Sequence, residues 1–457
     1  MEFQTVNPAT GEVIRTWTTM PPDEVMRTAR LAQGAFSDWK RWSVAERAPC
    51  FRRLAAVLRE NREEWAIQIT TEMGKPITEA RAEIEKCAWM SEVYADHAAD
   101  WLAEESVVAD GRQHLVTFQP LGVIFSIMPW NYPFWQALRF AVPGLMAGNT
   151  SVLKHASNVT GCAFAIEQAF IRAGFPENVF RTVVPDYDTV SDLIASDIVQ
   201  GVSLTGSTQV GRHIGAEAGR HLKKVVLELG GSDPFIVLED ADLDFTAKGA
   251  VAGRMLTAGQ SCIASKRFIV VEAVAEAFAQ RFCEMMEKLK VGDPRDETTQ
   301  VGSLVNEAAV KELEQQLAES VALGARVLCG GERLPGVGCF FPPTVVDNTR
   351  PGMRLVDEEV FGPIAPLITV ANETEAVALA NRSDFGLGGS VWTRDLERGL
   401  KVAREIESGT VFVNSITKSD PRMPFGGVKK SGLGRELSHY GLKEFVNVKS
   451  LSVYDHG

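Results

Sequence analysis

From about residue 115 the chain alternates between two kinds of segment. LGVIFSIM, TSVLKH, VFRTVV and VSLTG are short apolar runs rich in β-branched residues, and between them lie GCAFAIEQAFIRAG and TQVGRHIGAEAG, with apolar residues at helical spacing. Strands separated by helices imply βαβ units and a parallel sheet. A second series starts at KKVVLELGG and continues through PFIVLED, KRFIVVEAV and the helical AEAFAQRFCEMMEKLK, with GTVFVN as a further strand. The expected class is therefore α/β. Before residue 100, ERAPCFRRLAAVLRENREEWAIQITTEMG has apolar residues three and four apart, so a mainly helical block is expected after a short β-prone opening. The tail NVKSLSVYD alternates apolar and polar residues and reads as a strand outside the main series, of the kind that pairs elsewhere, including across a subunit interface.

A chain of 457 residues is too long for one core, so two or three domains are expected, although no linker composition marks their limits. The net charge of −12 leaves no basic stripe to neutralise phosphates, which argues against nucleic acid as a partner. The longest apolar stretch, FWQALRFAVPGLMAG, is broken by Arg139 and Pro143, so no membrane span is expected. MEFQTVNPATGEVIRTW has neither a basic start nor an apolar run and does not read as a signal peptide. The seven cysteines are far apart and form no CxxC pair. That argues against a metal site or a disulfide framework and for a cytoplasmic location.

Four stretches are chemically suggestive. In GQSCIASKR, Cys262 follows Gly259, which permits a close backbone approach, and precedes Lys266 and Arg267. Two cations can favour a thiolate, or can be a solvated strand edge around a core cysteine. In VVLELGGSDP, Glu228 ends an apolar strand just before Gly230 and Gly231. A carboxyl group in an apolar pocket has a raised pKa and suits proton abstraction from water; otherwise it is exposed or salt-bridged. In IMPWNYPFW, Pro129 and Pro133 bracket Asn131 at a strand's carboxyl end. There its amide can serve an oxyanion, or it is a plain turn residue. In SLTGSTQVG, Gly206 and Ser207 join a strand to a helix start, a place suited to phosphate, though the GxGxxG pattern is absent. None of the seven histidines stands in a thiol-protease context.

Taken together, PWNYP, LTGST, LELGG, GQSC, EEVFGP and PFGGVKKSGLGRE resemble the aldehyde dehydrogenase superfamily in order and spacing across almost the whole chain. VLKHASN and VLELGGSDPFIVLEDADLD look most like bacterial succinate-semialdehyde dehydrogenases. The resemblance implies a Rossmann-like cofactor domain (1–101 and 121–228), an α/β catalytic domain (229–430) and a small β oligomerisation arm (102–120 and 440–457). It also implies a homodimer or homotetramer. Cys262 would be the nucleophile and Glu228 the base for the deacylating water, while Asn131 with the Cys262 N–H would form the oxyanion hole. Lys154 would hold the adenosine ribose, Gly206 and Ser207 would lie against the pyrophosphate, Glu359 would bind the nicotinamide ribose, and Phe361 would pack near the nicotinamide. Trp130, Ser157 and Leu229 complete the implied cofactor set.

Where many members of that family read KPxE, this chain has Lys154-His155-Ala156-Ser157. A carboxylate would repel a 2′-phosphate, whereas a hydroxyl beside a lysine can bind one, so NADP is the expected cofactor, with NAD second. A semialdehyde acid needs a cation for its distal carboxylate. Arg139 matches the arginine that resemblance supplies, or is a helix arginine in a salt bridge; Ser419 and Arg422 in the loop before PFGG are further candidates. Ala264 stands where some relatives carry a second, regulatory cysteine. The expected reaction is oxidation of an aldehyde, succinic semialdehyde, to its acid through a thiohemiacetal and a thioester. The alternatives are another aldehyde, a coenzyme A-acylating dehydrogenase, a thiol hydrolase without a nicotinamide, and a silent scaffold.

Overall fold

The computed structural model describes residues 1–455, so the last two residues of the expected C-terminal arm, 456 and 457, lie outside the described residues. A hairpin of Glu2–Val6 with Val13–Thr18 opens the chain, and four helices follow: Pro22–Trp39, Val44–Glu60, Arg62–Met73 and Ile77–Trp101. Their limits have local causes. Ser43 and Glu46 form a reciprocal capping box that satisfies free N–H groups at the start of Val44–Glu60. Gly74, with φ of 82°, ends Arg62–Met73 in the left-handed conformation that glycine adopts without a Cβ clash.

Two sheets then form, one from each alternating series. The first runs Gly432–Leu433, Lys224–Glu228, Val199–Thr205, Val123–Met128, Thr150–His155, Phe180–Val183. All pairs are parallel except the one with Gly432–Leu433, where Gly432 stands opposite Glu228. Every residue of Val123–Met128 is buried, as expected of a central parallel strand covered on both faces. The second sheet runs Arg326–Cys329, Thr344–Asp347, Ile364–Val370, Ser265–Val271, Asp233–Val237, Gly388–Trp392, Thr410–Val413. Only its Arg326–Cys329 edge is antiparallel. The tail strand Val446–Val453 pairs with Gln113–Pro120, which also pairs with Glu105–Val107. Val448, Leu451 and Val453 of that tail are exposed. No helix among the described residues is long and apolar enough to cross a membrane.

The topology gathers the singled-out residues. Asn131, Lys154, Gly206 and Glu228 lie at or just beyond the carboxyl ends of strands in the first sheet. Cys262 lies just before a strand of the second sheet. Open α/β sheets bind ligands at strand carboxyl ends.

Buried Asn149 ties the first sheet to the tail. Its Oδ1 accepts the N–H groups of Leu121 (2.8 Å) and Gly122 (3.1 Å), and its Nδ2 donates to the Phe445 carbonyl at 2.9 Å. Asn149→Ala orphans two N–H donors on the sheet side and a carbonyl acceptor on the tail side, so it should lower stability by about 3 kcal/mol in thermal or denaturant unfolding. A loss below about 1 kcal/mol would show that water replaces the amide there.

Candidate active site

The turn leading to Cys262 is strained and clamped. Thr257, Ala258 and Gly259 all have positive φ, at 52°, 54° and 76°. A β-branched residue keeps such a conformation only where its surroundings impose it. Glu79 accepts the Thr257 N–H at 2.9 Å and its hydroxyl at 3.3 Å. Arg254, wholly buried, donates to the carbonyls of Ser265 (2.9 Å), Val360 (2.8 Å) and Gly362, and more weakly to that of Gly259. A Cβ on Gly259 would stand 2.3 Å from the Gly362 carbonyl oxygen, so only glycine fits. The thiol's turn is thereby bolted to the loop that carries Glu359 and Phe361.

Neither basic residue after Cys262 is a solvated strand edge. Lys266 is buried and donates to the Ser261 and Cys262 carbonyls at 2.8 and 2.7 Å, with Glu359 Oε1 at 3.1 Å. Arg267 is buried against the Ser232, Leu379 and Ala380 carbonyls. Burial pushes the Cys262 thiol up to about 11, while the charges of Arg139 and Lys266 act to lower it.

The glycines after Glu228 have a steric reason. A Cβ on Gly231 would be 2.7 Å from the Cys262 carbonyl oxygen, and one on Gly230 would be 2.3 Å from Glu359 Oε2. Glu228 is 2% exposed, and neither carboxyl oxygen has a hydrogen-bond partner among the described residues. Burial raises its pKa well above the usual range and the Glu436 charge adds to this, with Arg139 and Arg435 opposing. Asn131 is buried too, and its Nδ2 donates to the Gln260 carbonyl at 2.9 Å, which holds the amide at the Cys262 turn and leaves its second N–H. The thiol, the amide and the unpartnered carboxyl thus belong to one seam between the sheets.

Comparison with known proteins identifies the family. The aldehyde dehydrogenase family model matches residues 1–451. The chain belongs to the aldehyde dehydrogenase family. A Synechocystis protein named "Probable succinate-semialdehyde dehydrogenase", NADP+-linked, is 48% identical over 451 residues, 99% of each chain. The Escherichia coli succinate semialdehyde dehydrogenase Sad, named for NAD(P)+, is 46% identical over 98% of this chain and 96% of its own. The crystal structure of the Streptococcus pyogenes succinic semialdehyde dehydrogenase in complex with NADP+ superposes with a TM-score of 0.97 at 36% identity, covering 99% of this chain and 100% of that one. The enzyme therefore has the aldehyde dehydrogenase fold.

In this aldehyde dehydrogenase a cavity of about 170 Å³ at the carboxyl end of Thr150–His155 is lined by Lys154, His155, Ser157, Thr160 and the segment Val183–Tyr187. Lys154 has no carboxylate partner among the described residues, and burial lowers its pKa. The one acid in the wall, Asp186, is engaged in capping its own helix through the Thr189 N–H. An unpaired lysine beside the exposed Ser157 hydroxyl fits a phosphate-bearing group. His155 is buried, and burial pushes it down to about 4. As a neutral ring it donates from Nε2 to the Pro133 carbonyl and accepts the Ala156 N–H at Nδ1, both at 2.9 Å, linking the Lys154 strand to the helix after Asn131.

The other named residues are dispersed along the cleft. Ser207 caps the helix Thr208–Arg220 by accepting the Val210 N–H, and the Gly206 N–H donates to the Glu228 carbonyl. Leu229 packs so closely on that helix that a Cβ on Gly211 would stand 2.4 Å from it. Trp130 and Phe361 meet edge to face at 5.8 Å. Glu359 is held by Lys266 and the Gly231 N–H at 3.1 Å.

Cys262 opens into a second cavity, of about 270 Å³, whose walls include Lys86, Trp135, Arg139, Lys418 and Ser419. Arg139 takes up the salt-bridge alternative: its guanidinium pairs with buried Glu436 and lies 4.6 Å over the Phe425 ring, so its charge is already neutralised. Arg422 lies away from these residues. It is absent from the cavity wall, exposed and bonded to Asp420 at 2.7 Å, because a carboxylate two residues away is its nearest partner. Sequence reasoning missed Glu79, Lys86 and Arg254, because nothing in a helical charge pattern separates a surface residue from one that lines a distant turn.

The thiol's protonation is open to test. Alkylation of Cys262 by iodoacetamide, followed on its own peptide by mass spectrometry, should rise about tenfold per pH unit between pH 7 and 9 in the free enzyme, because only the thiolate reacts. A plateau below pH 8 would contradict a thiol raised by burial.

Proposed function

We propose that the enzyme oxidises succinic semialdehyde to succinate and prefers NADP, with NAD as a poorer alternative. The observation that carries the reaction class is the seam where a thiol, an amide donor and an unpartnered buried carboxyl meet between two parallel sheets. The substrate follows the names of relatives that are nearly half identical along their whole lengths. The cofactor choice rests on the unpaired Lys154 beside Ser157, which suits a 2′-phosphate.

In this reading the Cys262 thiol first gives up its proton to solvent, its thiolate adds to the aldehyde carbon, and the second N–H of Asn131 donates to the oxyanion that forms. Lys266 holds the Cys262 carbonyl and fixes the direction of the turn. Trp130 and Phe361 would hold a nicotinamide, which would supply the acceptor for the hydride lost from that carbon. The acyl group is then a thioester on Cys262. Glu228 takes a proton from the attacking water, so it must first lose its own. Because burial raises its pKa, the base form increases with pH, and hydrolysis should quicken in the same direction. Glu228 also favours water over coenzyme A as the acyl acceptor. Lys154 and Ser157 would hold the adenosine end, Gly206, Ser207 and Leu229 would border the pyrophosphate, and Glu359 would bind the nicotinamide ribose.

The same reading takes 1–101 with 121–228 as the cofactor domain, 229–430 as the catalytic domain, and 102–120 with 440–457 as an oligomerisation arm in a cytoplasmic homodimer or homotetramer. The exposed Val448, Leu451 and Val453 of the arm suit a subunit contact.

An aldehyde panel assayed with both cofactors should give the highest kcat/KM for succinic semialdehyde with NADP. A strong NAD preference would overturn the cofactor reading. Ser157→Glu should cut kcat/KM with NADP at least about tenfold while sparing NAD, since a carboxylate faces the 2′-phosphate. Glu228→Gln should slow acid release by about 100-fold or more, with an acylated Cys262 peptide accumulating in quenched turnover samples. Undiminished release would assign the base elsewhere.

A further inference from the structure

We propose that Lys86, with Ser419 as its hydroxyl partner, is the cation that receives the distal carboxylate of the aldehyde substrate. This rests on the reading of the substrate as an aldehyde acid. Lys86 projects from the helix Ile77–Trp101 into the cavity that Cys262 opens into. Its Nζ donates to Ser419 Oγ at 2.7 Å and lies 4.3 Å over the Trp135 ring. Ser419 is buried, and both partners line the same wall. An indole face and a hydroxyl hold an ammonium in place without neutralising it.

Of the three cations in the cavity wall, Lys418 is exposed and Arg139 is paired, which leaves Lys86 as the half-buried ammonium without a carboxylate. Every neighbouring acid is engaged by another group: Glu83 by buried Lys75 and the N–H groups of Phe134 and Trp135, Glu79 by Thr257, Asp420 by Arg422, and Glu436 by Arg139. Arg139, the cation suggested by sequence, arrives already paired. Among the described residues Lys86 has no carboxylate within salt-bridge distance. A half-buried ammonium with no counter-ion is a site for an anion from outside. Burial, with the repulsion of Arg139, lowers the Lys86 pKa to about 8, opposed by Cys87, Asp420 and Glu83. The protonated form that binds a carboxylate is thus lost as pH rises through that value.

The test compares succinic semialdehyde with butanal, an uncharged aldehyde of the same carbon count, in the parent, Lys86→Met and Lys86→Arg. Lys86→Met keeps the apolar stem and removes the charge. It should raise KM for succinic semialdehyde about 30-fold while lowering kcat/KM for butanal less than about threefold. Lys86→Arg should recover most of the loss. In the parent, KM for succinic semialdehyde should climb above pH 8, and this climb should vanish in Lys86→Met. Ser419→Ala should give a smaller shift of the same kind. If the parent prefers succinic semialdehyde and Lys86→Met weakens both aldehydes equally, or neither, the Lys86 assignment is overturned alone. A parent that handles the two aldehydes alike overturns the substrate reading and the assignment with it.

Discussion

Two positions without side chains set the geometry of the seam. At Gly231 a methyl group would collide with the Cys262 carbonyl, and at Gly230 with the Glu359 carboxylate. The chain leaves the first sheet at Glu228 and enters the second at Asp233 within that short stretch, so the turn bearing the thiol can lie directly against it. A larger residue would force the Cys262 turn away from Glu228. The strained backbone at Thr257 and Ala258, with the Glu79 and Arg254 clamps, then holds the turn from its other side.

The same economy of space governs charge. Ions removed from water must find partners, and this interior supplies them mostly from backbone carbonyls or buried acids. Arg254 and Arg267 are satisfied by carbonyls, Lys266 by carbonyls and Glu359, and Arg139 by Glu436. Against that background the unsatisfied groups stand out. Lys154 and Lys86 line two separate cavities, and the carboxyl oxygens of Glu228 are buried without a hydrogen-bond partner.

Much of this was legible beforehand. Alternating β-branched and helical segments announced two parallel series, because strand and helix periods differ and the crossovers must be long. The glycines beside Glu228 and before Cys262 signalled close backbone approach, and the neighbours they admit are now named. The family motifs were legible as a set. Charge was the weak point: Arg422 is bonded to Asp420 two residues away, and Arg139 to a glutamate almost three hundred residues further along. The Arg139 pairing leaves no local signature, and His155 likewise has its hydrogen bonds decided by Pro133 on another element.

The residue order by itself determined which elements form, since hydrophobic period and turn chemistry act over a few residues. It also determined which stretches carry reactive side chains. Only the tertiary structure decided which of those side chains remain without partners, because Coulombic and hydrogen-bond pairing depend on distance in space and burial, and helix Ile77–Trp101 meets the Ser419 loop only after the chain has closed.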